Sequence, residues 1–157
     1  MKHSVKVGFS FGLTSSVITT LGLMIGLYSS THSKMIVLSG IIIIAIADAM
    51  ADAMGIHVSE ESHLNKNSKE IWQATLATFV SKFFFALTFV IPFIFLTIKP
   101  AIYVCFVWGL LLLTGYSIYL AKKRKTDALP IVIEHLAIAI VVMIITYYVG
   151  KFVSMLA

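Results

Sequence analysis

Two carboxylates stand four residues apart in the doubled tetrapeptide "ADAMADAM", residues 47–54, directly after the apolar run "IIIIAIA". Asp48 and Asp52 therefore share one face of a helix. A charged Asp at the centre of a membrane helix costs about 2.5–3.5 kcal/mol on insertion scales. Two on one face also repel, so one holds a proton unless a cation sits between them. Carboxylates retained at that cost are ion sites, proton relays or buried partners. Glu134, in "LPIVIEHLAIA", and Ser15 bring further oxygens. Counting the helical rise from the segment ends sets all four near one level, in the half of the membrane that holds the chain start. Met50 and Met54 lie in the same helix as the Asp pair. Thioethers beside carboxylates suit a borderline transition metal, oxygens alone suit magnesium, calcium or manganese, and core filling is the plainer use of Met. Glu60, Glu61 and His63 form a weak collecting site past the end of that helix. His135 points about 100° away from Glu134 and reads as an interhelical hydrogen-bonder.

These residues sit in segments made for lipid. The chain has 157 residues, of which 59% are hydrophobic and 12% charged. A soluble domain carries roughly a quarter charged residues, so the composition excludes an ordinary soluble enzyme or nucleic-acid binder. Five apolar segments are long enough to cross a bilayer as helices: about 7–28, 35–57, 71–98, 101–121 and 130–150. The first is too long for a signal-peptide core and counts as a span. The expected fold is one all-α integral membrane domain over 1–157, with no soluble domain. Cys105 is the single cysteine, so no internal disulfide forms.

Charge position sets the expected topology. With the N-terminus inside, the inner segments hold Lys2, Lys6, Lys66, Lys69, Lys82, Lys122, Lys123, Arg124 and Lys125, against Lys34, Lys99 and Lys151 outside. That asymmetry predicts N-in, C-out. The "KKRK" run reads as a topology anchor rather than a site for nucleic acid or acidic lipid. Residues 71–82, "IWQATLATFVSK", read as an amphipathic lead-in on the inner surface, with Lys82 snorkelling to the headgroups in preference to serving as a buried counter-ion. Pro92 should kink the third span. In the first span Gly8, Gly12, Ser15, Thr19, Gly22 and Gly26 fall on one face. Such a stripe lets another backbone approach closely, in packing, at a symmetry axis or along a permeation path. Gly12, Ser15, Ser16 and Thr19 are the candidate path-lining residues.

The stretch "AIADAMADAMGIHVSEES" resembles the second-helix signature of the vacuolar iron transporter family. "FGLTSSVITTLGLMIGL", "ATFVSKFFFALTFVIPF" and "EHLAIAIVVMIITYYVG" are similar to its first, third and last helices, in order. The resemblance implies a homodimer whose first two helices line a path for Fe²⁺ or Mn²⁺, exchanged for protons, with helix 1 at the two-fold axis. It assigns Asp48 and Glu134 to family carboxylates. It implies no permanently bound cofactor, and a plasma membrane in a prokaryote or a vacuolar or other endomembrane in a eukaryote. The chain departs from the family pattern at four places. Ser15-Ser16 replaces an Asp-Gly pair, and Asp52 replaces a methionine. Ile56 stands where an acidic residue follows Gly55, with His57 where an aromatic is usual, and the twelve residues "SEESHLNKNSKE" leave no room for long cytoplasmic metal-binding helices. One reading is that the carboxylate missing from helix 1 is regained one helix over, as Asp52; the other is that transport is lost or retuned. The expected function is divalent metal transport by metal/proton exchange, in a homodimer embedded in lipid with no nucleic-acid partner. A non-transporting dimer of the same fold is the alternative. A membrane enzyme using D-x-x-x-D is the weaker one, because the transferase and intramembrane protease contexts of such pairs are missing.

Overall fold

Each apolar segment continues as helix past its hydrophobic limits until a cap or a turn stops it. The computed structural model describes residues 3–63 and 66–156; Lys2, counted among the inner charges, lies outside them. The helices are α1 (His3–Thr31), α2 (Lys34–Glu61), α3 (Ser68–Thr88), α4 (Val90–Phe95), α5 (Ile98–Arg124) and α6 (Ala128–Ser154), and no strand occurs among the described residues. Ser33 opens α2, its hydroxyl accepting from the Ile36 N–H, and Asn67 opens α3 by accepting from the Glu70 N–H at 3.0 Å. Lys125 closes α5 in the left-handed conformation, φ 55°. The following Thr126 N–H then reaches back to the Ala121 carbonyl at 3.1 Å.

Helices α3 and α4 form one span, giving five that are long and apolar enough to cross a membrane. The break at Phe89 is the kink expected from Pro92. Proline offers no N–H to the Thr88 carbonyl, and the chain tightens so that the Phe89 N–H donates to Ala86 at 3.1 Å.

Helix α1 is the central post, packed by α2, α3, α5 and α6. Val17, Leu21 and Met24 are fully buried on it, against Ile41, Phe89, Phe93, Cys105 and Leu113 from its neighbours. Meanwhile Ile43, Phe84, Phe95, Ile145 and Tyr148 point outward, exposed. Large apolar side chains outside, with Ser16, Thr20, Thr78 and Ser81 buried inside, suit a lipid solvent in which small and polar groups hold helices together.

The glycine stripe is used in packing, the plainest of its expected roles: a Cβ at Gly8 or Gly12 would strike the α3 backbone at Ala74 and Thr78, and one at Gly22 or Gly26 would meet Val142 and Thr146 on α6. The chain's own helices use the close approach that glycine permits, while Gly22 and Gly26 also border a shallow surface hollow. One expectation changes here: 71–82 does not lie on a surface. It is the first half of α3, and Ile71, Ala74, Thr75, Thr78, Ser81 and Lys82 are buried. Its small side chains fit the glycines of α1, so its face is consumed by packing.

Candidate functional site

Lysine 82 organises the polar centre of the molecule. Fourteen residues into α3, it lies roughly 21 Å along the helix from Ser68. Its side chain is only 2% exposed and turns toward α2, where its Nζ pairs with both Asp48 and Asp52. The expected snorkelling is therefore wrong: Lys82 is a buried counter-ion. Ser16 holds the α3 backbone at this point, its hydroxyl donating to the Lys82 carbonyl at 2.9 Å.

Ser15 completes the group. Its hydroxyl donates to Asp52 Oδ2 at 2.7 Å and accepts from Lys82 Nζ at 2.9 Å. Asp48 is held less well. Its buried Oδ2 lies 2.5 Å from Nζ as an ion pair, without an aligned hydrogen bond. The ammonium thus spends its directed bonds on Asp52 and Ser15 and offers Asp48 charge alone. The cluster counts one positive charge against two negative. Its carboxylates are not sealed, with side-chain exposures of 28% for Asp48 and 24% for Asp52.

The other candidates are distributed elsewhere. Met50 and Met54 are 61% and 58% exposed, because two residues of helix turn them about 200° from the neighbouring Asp. Glu134 is exposed on α6, whose packed face carries Ala139, Met143 and Gly150. Glu134 lies about 140° round from Ala139, whereas His135 lies about 40° away and falls on that face. His135 Nδ1 meets Ser117 Oγ of α5 at 2.7 Å, the interhelical bond expected of it. No three of the described His, Cys, Asp and Glu residues come close enough together to hold a metal ion, so Glu134 does not join the Asp pair. Gly12 and Ser16 are buried in the α1–α3 seam, and Thr19 returns its hydroxyl to the Ser15 carbonyl at 2.9 Å. Of the four path-lining candidates only Ser15 reaches the carboxylates. Glu60 is buried and paired with Lys66, while Glu61 and His63 are exposed.

For Lys82 the sequence reading preferred the wrong one of two roles. The signal for the right one was a Lys fifteen residues past the cap at Asn67, on the same face as Thr75 and Thr78.

Chemically, two carboxylates and a hydroxyl form an all-oxygen cradle, and a tethered ammonium already stands in it. Oxygen donors of this type suit hard cations. Neither a curated protein nor a solved structure shows a significant match to the chain. The sequence model of the VIT family matches residues 52–151. That stretch runs from Asp52 through nearly all of α6 and contains Lys82, while Ser15 and Asp48 precede it. Five membrane-length helices and a match over most of their span place the chain in the VIT family, which generally comprises membrane metal-ion transporters.

Proposed function

We propose that this chain exchanges a divalent transition metal for protons at the Ser15–Asp48–Asp52 cradle, with Lys82 as the resident cation that metal must displace. The observation that carries this is Asp48 Oδ2, a buried acceptor with no aligned donor in a cluster with one excess negative charge. A divalent ion between the carboxylates repels the ammonium strongly in a medium of low dielectric. Lys82 then either withdraws or gives up its proton, and the second route couples metal arrival to proton departure without recruiting another group. With Met50 and Met54 turned away, the donors are oxygens alone, which favours manganese over iron.

A face of α2 suits a homodimer as well. Ala47, Ala51 and Gly55 are exposed beside Asp48 and Asp52 on α2, and a Cβ at Gly55 would meet nothing within 4 Å. A small-residue face next to part-exposed carboxylates is costly against lipid and well suited to a second copy. Of the inner charges counted from the sequence, Lys82 is removed by its burial, and the remainder still favour N-in, C-out.

Uptake of Mn²⁺ into proteoliposomes under a proton gradient tests the transport reading. Asp48→Asn with Asp52→Asn should abolish flux, and unchanged flux would refute the site. One observation favours a second reading, a non-transporting dimer: Lys82 already neutralises half the acidic charge, as a structural ion pair does. Absence of Mn²⁺ or Fe²⁺ binding in anaerobic titration, in wild type and in Lys82→Met alike, would establish that alternative.

A further inference from the structure

A second feature lies at the basic end of the bundle, away from the Asp pair. Helices α1 and α5 leave between them a groove of about 460 Å³, backed by Phe85 of α3. Its floor is apolar, with Phe9, Leu13, Leu112 and Tyr116. Tyr116 crosses it to hydrogen-bond Ser10. Gly115 lowers one wall, since a Cβ there would meet nothing within 4 Å. At the end where α1 begins and α5 finishes, a second hollow shares Lys6, Ser10, Leu120 and Lys123 with the first and adds His3 and Arg124. Apolar groove and basic rim are therefore continuous. Among the described residues no carboxylate lines either hollow, so none of them gives the cationic rim an acidic partner there. Lys123 also lies 5.9 Å over the Tyr119 ring, which keeps its charge on the groove side.

We infer that this groove holds an anionic phospholipid, its headgroup on Lys6, Lys123 and Arg124 and an acyl chain along Phe9, Leu13 and Leu112. A soluble anion would use the rim and leave the groove empty, and a neutral lipid would use the groove and leave the rim unpaired. Only a molecule with a negative head and an apolar tail matches both. Basic pockets between membrane helices bind anionic headgroups by this combination. From Leu111 to Lys123 the groove wall runs roughly 18 Å along α5, the length of an acyl chain's upper part. The rim draws on two helices distant in sequence, so the "KKRK" run does more than anchor topology: its Lys123 and Arg124 meet Lys6 of α1.

The test uses the full chain purified in mild detergent and exposed to phosphatidylcholine alone or mixed with phosphatidylglycerol. Retained lipid is counted by native mass spectrometry, and melting is followed in parallel. Wild type should keep one phosphatidylglycerol per chain at least fivefold above phosphatidylcholine. Lys6→Gln with Lys123→Gln should lose that preference, while Lys122→Gln with Lys125→Gln, exposed lysines outside both hollows, should keep it. Gly115→Leu fills open space with the rim charges intact and should also expel the lipid. Equal retention of the two lipids by wild type overturns the proposal. So does equal loss in both lysine pairs, or retention undiminished in Gly115→Leu. Inorganic phosphate that reproduces the stabilisation by phosphatidylglycerol would mark a phosphate site instead, and overturns it too.

Discussion

Asp52 and Ser15 meet at 2.7 Å, and this contact gives physical content to the idea that a carboxylate moved from helix 1 to helix 2. An acid at either position reaches the same ammonium, since Lys82 Nζ touches both side chains. Asp52→Met should therefore cut metal flux at least tenfold, and Ser15→Asp in that background should restore part of it. Ser15→Asp alone would gather three carboxylates around one lysine and should lower the melting temperature. Failure of the double variant to regain flux, with folding intact, removes the compensation idea. Lys82→Met probes the other charge. Breaking a fully buried pair costs roughly 3–5 kcal/mol, and exposure of these carboxylates brings the expected loss to about 2–3 kcal/mol. Because the variant leaves two acids without a cation, Mn²⁺ should bind it about tenfold more tightly than wild type. Its melting temperature should accordingly rise further with Mn²⁺. A thermal shift no larger than that of wild type would contradict competition between the ammonium and metal. At this scale the sequence was half legible. Spacing alone put Asp48 and Asp52 on one face and Ser15 at their level. It misjudged Lys82 because 71–82 read as an amphipathic lead-in on the inner surface, which set the lysine at the interface, whereas α3 runs unbroken from Ser68 to Thr88 and carries the lysine into the bundle.

The elements were more legible than their partners. All five spans, the break before Pro92 and the short connections follow from hydropathy and from residues with special backbone demands. Which faces meet did not follow, because small-residue stripes announce close approach without naming the partner. Gly8 and Gly12 take α3 while Gly22 and Gly26 take α6, so one stripe serves two neighbours along the length of α1. Glu134 went astray for a related reason. Level along the membrane was readable, but rotation of α6 depends on Ala139, Met143 and Gly150 finding α1 and α5. The α1–α3 seam makes a sharp prediction. Gly12→Ala places a methyl 2.7 Å from the Thr78 carbonyl oxygen and against Ser81, an overpacking that should cost roughly 1–3 kcal/mol. Gly115→Ala, with open space around it, should be neutral or stabilising by up to about 1 kcal/mol from helix propensity. Detergent melting curves of the two variants, side by side, decide the matter. Equal melting temperatures would mean that the seam relaxes freely and that glycine is not required there. Because Ser16 and Lys82 belong to the same seam, Gly12→Ala should also loosen the lysine from the Asp pair and alter metal binding.

For the whole molecule, the question is what covers the carboxylate edge. The protomer buries Val37, Ile41, Ala45, Ala49 and Ala53 of α2 against its own helices and leaves Ala47, Ala51 and Gly55 bare beside Asp48 and Asp52. The doubled tetrapeptide thus does two things at once: its aspartates turn toward Lys82, and its other alanines present a flat strip outward. Two such strips related by a two-fold axis would bring two Asp pairs face to face and enclose them from lipid. The interface would then be isologous, each strip meeting its own copy. Gly55→Leu distinguishes this from a lipid-facing strip. The leucine has free space in the protomer, so secondary structure and core should persist while a second copy is held off. Cross-linking of Ala51→Cys in membranes, with the buried Cys105 replaced by alanine, reports the contact directly. The expected result is a cross-linked dimer in the Ala51→Cys chain, lost when Gly55→Leu is added, with Mn²⁺ flux falling in parallel. A dimer that survives Gly55→Leu with unchanged cross-linking would place the interface elsewhere. The Asp pair would then face lipid with only Lys82 to neutralise it, the arrangement expected of a structural ion pair rather than of a transport site.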